Sequence, residues 1–294
     1  MRWLFCGLLL ASCARTAPSP PHHTRVVVDG IGRQLEVGQI KRIVSLAPSS
    51  TEIAYALGAG PSVVGVDRFS DYPVLAQAVT QVGSNMEPSM ERILALRPDV
   101  VLVAKSANSQ RTLDQLMQVG LPVYVSNAES LAAIFTDIEG IGNVLGREAD
   151  AKTMVTQLRQ RLAAVQARVG GHVTPCAVVV WPAPLVVAAG GNHVNDLLTT
   201  AGCKNVVDDS PVPFPTYSDE RLVKRAPSVL FVGTHATGAP ALAPLERLSS
   251  IPAVRDHRVH LIDGDLMFRP GPRVIDGIEL LARFLAALPD RGGP

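Results

Sequence analysis

The segment Arg147–Val169 reads READAKTMVTQLRQRLAAVQARV and contains neither glycine nor proline. Its apolar side chains recur at steps of three and four residues, at Met154, Leu158, Leu162 and Val165. This period predicts one amphipathic helix with an apolar stripe along one face. At about 1.5 Å per residue the helix would be more than ~30 Å long, which is enough to connect two lobes of a protein.

Short apolar runs and helical patterns alternate on both sides of this segment. On the N-terminal side the sequence predicts strands over 42–47, 62–66, 99–104 and 121–126, with helices from 48, over 90–96 and over 109–119. On the C-terminal side it predicts strands over 176–181, 228–233 and 259–263, with helices over 194–201, 219–225 and 272–288. A hairpin with an Asp29-Gly30 turn is predicted over 25–37. The alternation predicts parallel sheets with helices on both faces, which is an α/β fold.

Three residues mark the ends of the helix that begins near residue 48. Ser49 and Glu52 have the spacing of a capping box, in which each side chain binds a free backbone N–H of the first turn. Gly58 has the position of a residue that closes the helix.

The two halves of the chain also contain a repeated pattern. The segment 89–103, SMERILALRPDVVLV, matches 218–232, SDERLVKRAPSVLFV, in the positions of its serine, glutamate, arginine, proline and apolar strand. A serine cap followed by an acidic first turn is common in helices, so coincidence is one explanation. The match in register favours two related lobes. The loops at the carboxyl ends of their strands are then expected to face a shared cleft.

The N-terminus has the pattern of an export signal. Arg2 is followed by a short apolar run, WLFCGLLLA over 3–11, and the sequence LASC ending at Cys13 resembles a bacterial lipobox, in which the cysteine is acylated. The alternative is an ordinary signal that is cleaved after small residues. Residues 14–24 are rich in proline and serine and predict a flexible tether. We therefore expect a lipid-anchored protein in the periplasm or at another extracytoplasmic membrane face.

Composition limits the classes of partner. The chain has 294 residues, of which 47% are hydrophobic and 18% charged, with a formal net charge of +1. These values exclude wholesale disorder, and without a long run of basic residues they make nucleic acid an unexpected partner. The predicted organisation is a signal peptide over 1–12, a lipidated tether over 13–24, an N-terminal lobe over 25–146, the connecting helix over 147–170 and a C-terminal lobe over 171–294.

Two cysteines remain in the mature chain once Cys6 leaves with the signal and Cys13 is acylated. Cys176 starts an apolar strand, and Cys203 follows a helix that should return antiparallel to that strand. Both residues are then at the same end of the sheet. In an oxidising compartment they form either a disulfide or two buried free thiols.

Several motifs together resemble the helical-backbone substrate-binding proteins of ABC importers. The resemblance covers the chain from about residue 25 to 288. Several of its short motifs are similar to those of the cobalamin-binding branch of this family. The motifs are RIVSLAPSSTEIAYALG over 42–58, VVGVDRFSDYP over 63–73, QVGS over 81–84, MERILALRPDVVLV over 90–103, VPFP over 212–215 and GDLMFRPGPRV over 264–274.

This resemblance implies two Rossmann-like lobes joined by one long rigid α-helix, with the ligand in the cleft between them and only modest closure. It implies a binding protein, not an enzyme, that works as a monomer without a cofactor of its own and passes its ligand to the permease subunits. In relatives a glutamate on each lobe meets arginines of the permease, and the matching residues here are Glu91 and Glu220, in the repeated pattern. The alternative is that these carboxylates only complement the helix dipole.

The candidate cleft residues follow predicted strands or match binding positions of the family. Aromatic rings offer contact area for a flat macrocycle, while the charged side chains are suited to amides, carboxylates or phosphate. Tyr72 and Trp181 also suit a packing role. The predicted ligand-binding residues are Phe69, Tyr72, Asn85, Lys105, Trp181, Phe214, Tyr217, Phe268 and Arg269, with Met86, His235 and Met267 beside them.

The ligand is the least defined part of the resemblance. Cobalamin-binding relatives commonly have tryptophans where this chain has Asn85, Ala104 and Phe214, so cobinamide, haem and ferric siderophores stay open beside cobalamin. The family's cysteine in the C-terminal helix is also absent, since Arg283 and Phe284 stand in that region. By this comparison, a bridged Cys203 must pair with Cys176.

Two other classes of function fit the sequence less well. A periplasmic enzyme that handles tetrapyrroles or metals, such as a chelatase, can also have two α/β lobes. However, the chain has no HExxH, GxSxG or P-loop motif, and its histidines are scattered without a metal-ligand pattern. A surface scaffold lipoprotein is disfavoured by the paired lobes around a cleft.

Overall fold

The computed structural model describes residues 24–171, 173–234 and 242–288. The predicted signal, Cys13 and the tether up to residue 23 lie outside this part of the chain, as does His235. The chain enters the fold through a two-stranded antiparallel hairpin, β1 (Arg25–Val28) and β2 (Gln34–Val37), which confirms the predicted hairpin.

The N-terminal lobe is built on a four-stranded parallel sheet with the order β4-β3-β5-β6. Helices connect its strands, as the alternating pattern predicts. The strands are β3 (Ile43–Ser45), β4 (Val63–Val66), β5 (Val100–Ala104) and β6 (Val123–Ser126). The helices are α1 (Pro48–Ala56), α2 (Met90–Ala95), α3 (Gln110–Gln118) and α4 (Leu131–Leu145). The sequence analysis missed α4.

The connecting helix α5 runs over Glu148–Val169 and ends at Gly170, whose φ of 57° is left-handed. Of the predicted apolar stripe, Leu158 and Val165 are buried while Met154 and Leu162 are half-buried, and Val155, which the stripe did not include, is buried as well.

The C-terminal lobe is built on a five-stranded sheet. Its main order is β11-β10-β7-β8, β9 pairs with β7, and β8 is the one strand that runs antiparallel to β7. The strands are β7 (Thr174–Pro182), β8 (Leu185–Val187), β9 (Cys203–Asn205), β10 (Val229–Thr234) and β11 (Val259–Asp263). The helices are α6 (His193–Thr200), α7 (Asp219–Arg225), α8 (Pro252–Arg255), α9 (Gly264–Phe268) and α10 (Val274–Ala286). The sequence analysis missed the short strands β8 and β9.

One hydrophobic cluster passes through both lobes, and each lobe also has a cluster of its own. A single cluster of buried side chains runs from Val100 in the N-terminal sheet through Ile138 on α4 and Leu158 on α5 to Leu197 on α6 and Ile278 on α10. A closely packed interior resists deformation, so this continuity limits how far one lobe can rotate against the other.

The predicted capping box at the start of α1 is wrong. Pro48 occupies the first helical position, the residue before it is Ala47, and no side chain caps the helix. Ser49 is therefore inside the first turn, and the Glu52 carboxylate binds arginines of the other lobe instead. By contrast, Gly58 follows the helix with a φ of 74°, in the place predicted for it.

The caps of the repeated pattern are as predicted. The Ser89 hydroxyl accepts the Arg92 N–H at 3.3 Å at the start of α2. The Ser218 hydroxyl accepts the Arg221 N–H at 3.2 Å at the start of α7. A buried parallel strand follows each helix, so the two segments have the same local structure in both lobes.

Cys176 and Cys203 lie side by side at one end of the C-terminal sheet. Their Cα atoms are 5.7 Å apart, which is within the usual range for a disulfide, and the structure joins their sulfur atoms. The neighbouring strands β7 and β9 bring them together, because Cys203 pairs with Thr174 in the ladder.

Candidate ligand-binding cleft

Segments that follow the carboxyl ends of strands in the two sheets meet between the lobes, and we call this region the candidate cleft. In the N-terminal lobe the segment 67–73 follows β4, and in the C-terminal lobe α9 follows β11 directly. Arg269, the residue after α9, reaches across the cleft, because its Nη1 lies 2.7 Å from Asp71 Oδ1. The two segments therefore touch through an ion pair.

Buried polar groups fix the shape of the segment 67–73. The carboxylate of the fully buried Asp67 accepts the N–H of Phe69 at 3.0 Å and the hydroxyl of Ser70. The Ser70 hydroxyl lies 2.8 Å from that of Thr51 on α1. Burial raises the pKa of Asp67, and the hydrogen bonds from Ser70 and Phe69 oppose part of that rise. These contacts hold the segment in a defined position against α1.

Glu52 on α1 binds two arginines of the opposite lobe while being only 3% exposed. Its Oε2 accepts a hydrogen bond from Arg273 Nε at 2.8 Å, and its Oε1 accepts one from Arg273 Nη2 at 2.5 Å. Arg269 Nη1 lies 3.4 Å from the same Oε1. Two parallel bonds between a guanidinium and a carboxylate form a strong and directional contact. Glu52 therefore links the lobes at the base of the cleft.

Asp265 on α9 completes this group of charges. Its Oδ1 lies 2.9 Å from Arg269 Nε, and its Oδ2 lies 3.9 Å from Arg273 Nη2. Burial acts to lower the pKa of Arg269, but the hydrogen bond to Asp71 and the charges of Asp265 and Glu52 outweigh it and raise that pKa. We call Glu52, Asp71, Asp265, Arg269 and Arg273 the interlobe ion cluster.

Aromatic side chains from both lobes flank the interlobe ion cluster. Phe69 and Tyr72 are exposed on the N-terminal side, and the Arg273 guanidinium lies 3.9 Å from the centre of the Tyr72 ring. On the C-terminal side the rings of Phe214 and Phe268 meet edge to face with centroids 6.4 Å apart. The structure thus places Tyr72 against Arg273 of the interlobe ion cluster and Phe214 against Phe268, the residue before Arg269. Phe69 lies two residues before Asp71 in the same segment.

Two further predicted residues lie at the carboxyl edges. Trp181 near the end of β7 is exposed, and its Nε1 donates to the carbonyl of Ala183 at 2.9 Å. Asn85 lies in the loop before α2, and its carbonyl accepts a bond from Asn108 Nδ2 at 2.6 Å. Asn108 also donates to the carbonyl of Leu46 and so ties three segments of this edge together. Sequence reasoning missed Asn108, whose only signal is its position between β5 and the serine cap of α3.

The expectation for Tyr217 is corrected by its burial. This residue is 4% exposed and packs in the core of the C-terminal lobe, with the Arg221 guanidinium 4.5 Å from its ring centre. A ring enclosed in this way has no surface for a ligand. Lys105 is exposed as expected, but its Nζ already pairs with Glu129 at 2.8 Å.

The two predicted docking glutamates are exposed. Glu91 lies in the first turn of α2 and Glu220 in the first turn of α7, one on each lobe. Both positions also favour a negative charge because of the helix dipole.

A separate cavity of about 540 Å³ lies at the opposite edge of the C-terminal sheet. The end of α5, the start of β7 and α10 line it, and none of the predicted cleft residues do. Within the described ranges, no helix is long and apolar enough to cross a membrane. Over the same ranges, no group of three or more His, Cys, Asp or Glu side chains is arranged to hold a metal ion.

Comparison with known proteins identifies the family. The family model described as periplasmic binding protein matches residues 43–266. The chain is 31% identical over 245 residues to the vitamin B12-binding protein of Vibrio campbellii, covering 82% of this chain and 88% of that protein. It is 35% identical over 296 residues to an uncharacterized ABC transporter substrate-binding lipoprotein of Bacillus subtilis, covering 95% of this chain and 93% of that protein.

Solved structures agree with this result. The periplasmic vitamin B12 binding protein of Vibrio cholerae has a TM-score of 0.75 at 29% identity, covering 84% of this chain and 97% of that one. The periplasmic heme-binding protein RhuT from Roseiflexus sp. RS-1 has a TM-score of 0.76 at 27% identity, covering 84% and 99%. The chain therefore belongs to the periplasmic binding protein family, in its cobalamin and siderophore branch, as the substrate-binding protein of an ABC transporter.

Proposed function

We propose that this protein captures cobalamin or a related corrinoid between its lobes and delivers it to the permease of an ABC importer. The observation that carries the proposal is the exposed Tyr72 ring against Arg273 of the interlobe ion cluster, with the paired rings of Phe214 and Phe268 in the other lobe next to Arg269. Relatives named as vitamin B12-binding proteins support the same ligand class.

The cleft is suited to a large, flat and mostly apolar ligand. Aromatic rings supply broad contact area at a small cost in side-chain entropy, and a few fixed polar groups orient the ligand. The chemistry is binding and release, so no residue needs to form a covalent bond. The shared core of the two lobes supports modest closure around a ligand.

Haem or a ferric siderophore is the second candidate ligand. The specific observation in its favour is the fold similarity to a heme-binding protein, whose TM-score of 0.76 is about the same as the 0.75 for the vitamin B12 binding protein. Asn85 and Ala104 also offer no ring for stacking, unlike the tryptophans expected in cobalamin binders.

The proposal also covers delivery of the ligand to the permease and attachment of the protein to the membrane. We assign docking on the permease to Glu91 and Glu220, membrane attachment to an acylated Cys13, and a disulfide to Cys176 and Cys203. The disulfide is supported by their adjacent positions, and it fits an extracytoplasmic protein.

Isothermal titration calorimetry tests the ligand directly. A chain starting at Thr24 is titrated with cyanocobalamin, cobinamide, haemin and a ferric siderophore. We expect one-to-one binding of cyanocobalamin with a dissociation constant below about 1 μM, or about −8 kcal/mol. If haemin or the siderophore binds and cyanocobalamin does not, the second candidate replaces cobalamin as the ligand. No binding of any of them would contradict the proposal.

A further inference from the structure

The charges at the base of the cleft are unbalanced towards the negative side. The interlobe ion cluster contains three carboxylates and two guanidiniums. Arg269 has Glu52, Asp71 and Asp265 within 3.4 Å, and Arg273 has Glu52 and Asp265 within 3.9 Å. Both arginines are thus already neutralised by side chains of the protein itself.

Other cations near the cleft offer little to a ligand that carries two carboxylates. Lys105 pairs with Glu129 at 2.8 Å. The Arg68 guanidinium lies 4.6 Å from the centre of the Phe69 ring, where it covers an aromatic face. The Arg68 guanidinium alone cannot neutralise two ligand carboxylates that are held apart on a macrocycle.

Asp71 is the exposed member of the interlobe ion cluster. Its side chain is 42% exposed, against 3% for Glu52 and 11% for Arg269. An ionised carboxylate has several acceptor sites, and Arg269 Nη1 uses one of them at 2.7 Å. The remaining oxygen sites of Asp71 are suited to N–H donors of a ligand amide and repel a ligand carboxylate.

We infer that Asp71 is a specificity-determining residue, which makes the cleft select ligands with uncharged amide groups over ligands with carboxylates. The inference rests on the proposed function, since it concerns the ligand of the same cleft. In chemical terms it favours an amide-bearing corrinoid and disfavours haem, whose two propionates are ionised at neutral pH.

A ligand carboxylate has two unfavourable positions in this cleft. If it displaces Asp71 from Arg269, it breaks the ion pair that joins the lobes. If it leaves that pair intact, it becomes a fourth negative charge beside two guanidiniums and loses water without gaining a cation. Removing the Asp71 charge makes both positions less unfavourable. One negative charge fewer then faces the ligand carboxylate, and Arg269 Nη1 is free to donate a hydrogen bond to it.

The test is a gain of haemin binding. Haemin affinity is measured by calorimetry at pH 7.4 for the wild type, Asp71→Asn, Asp265→Asn and Asp150→Asn. Asp265→Asn removes the second carboxylate from Arg269, so the inference stays testable if one variant folds poorly. Asp150→Asn is the matched control, because it removes the same charge from an exposed site at the start of α5. We expect about tenfold tighter haemin binding for Asp71→Asn and a gain of the same sign for Asp265→Asn, against no more than about twofold for the control.

The inference is overturned if a folded Asp71→Asn variant binds haemin no more tightly than the Asp150→Asn control, or, where Asp71→Asn does not fold, if Asp265→Asn binds haemin no more tightly than that control. This outcome is distinct from failure of the proposed function. If the wild type does not bind cyanocobalamin, the proposal of a corrinoid ligand is rejected. The haemin affinities of the variants would still show whether Asp71 disfavours ligands that carry carboxylates.

Discussion

Glu52 illustrates what a local pattern can and cannot reveal about one residue. Its spacing from Ser49 predicts a capping box, yet Pro48 takes the first helical position and Glu52 binds Arg273 from 221 residues away. Local spacing carries no information about a partner so distant in the chain. The sequence did predict the exposed rings Phe69 and Phe214, because they lie in motifs of the family.

Replacing Glu52 with glutamine should destabilise the protein. Arg273 is 17% exposed and would lose its main carboxylate, and removal of one partner from a buried ion pair leaves the other charge uncompensated. We expect the free energy of unfolding to fall by about 3 kcal/mol. Chemical denaturation followed by circular dichroism measures it. Glu36→Gln, at an exposed site on β2, is the control and should change stability by less than about 0.5 kcal/mol. Equal stability of the two variants would contradict the role assigned to Glu52.

Most helices and strands are predictable from the sequence because their apolar residues follow a regular period. The helix α5 is an example, since Leu158 and Val165 of its predicted apolar stripe are buried and Met154 and Leu162 are half-buried. The helix α4 was missed although it has a serine cap and ends at Gly146. It contains two internal glycines, Gly140 and Gly142, which weaken a helical pattern, but they fit here because Tyr124 and Ala151 lie close to their backbones. Tertiary packing of this kind is not visible in local sequence.

The starts of α2 and α7 are the elements assigned to permease docking. We expect the double variant Glu91→Lys, Glu220→Lys to abolish ATP-driven uptake in a reconstituted transporter, because each new lysine repels the arginines expected on the permease. Ligand affinity should remain within about twofold of the wild type, because both residues lie outside the interlobe ion cluster. The control is Glu36→Lys, Glu246→Lys, which makes the same change of charge at exposed sites outside α2 and α7. Uptake by the docking variant at the wild-type rate would contradict the assignment.

At the scale of the whole molecule, the two lobes are joined by a shared hydrophobic cluster and by the interlobe ion cluster. The repeat in the sequence predicts related lobes, but it does not reveal that one hydrophobic cluster passes through both. Nor does it reveal that Arg269 and Arg273 are neutralised across the cleft by Glu52 and Asp71. These features depend on the relative placement of lobes that are distant in sequence. The sequence motifs are therefore enough to identify the family, while the choice of ligand depends on how the two lobes are placed against each other.

Hydrogen–deuterium exchange with and without cyanocobalamin tests most directly whether the ligand is held between the lobes. The account predicts slower exchange in three segments of the cleft when cyanocobalamin is bound: 67–73, 212–217 and 264–269. The segments 168–171, 173–175 and 279–288, which border the separate cavity of about 540 Å³, should exchange at an unchanged rate. Slower exchange confined to those three segments, or no change anywhere in the protein, would contradict the account.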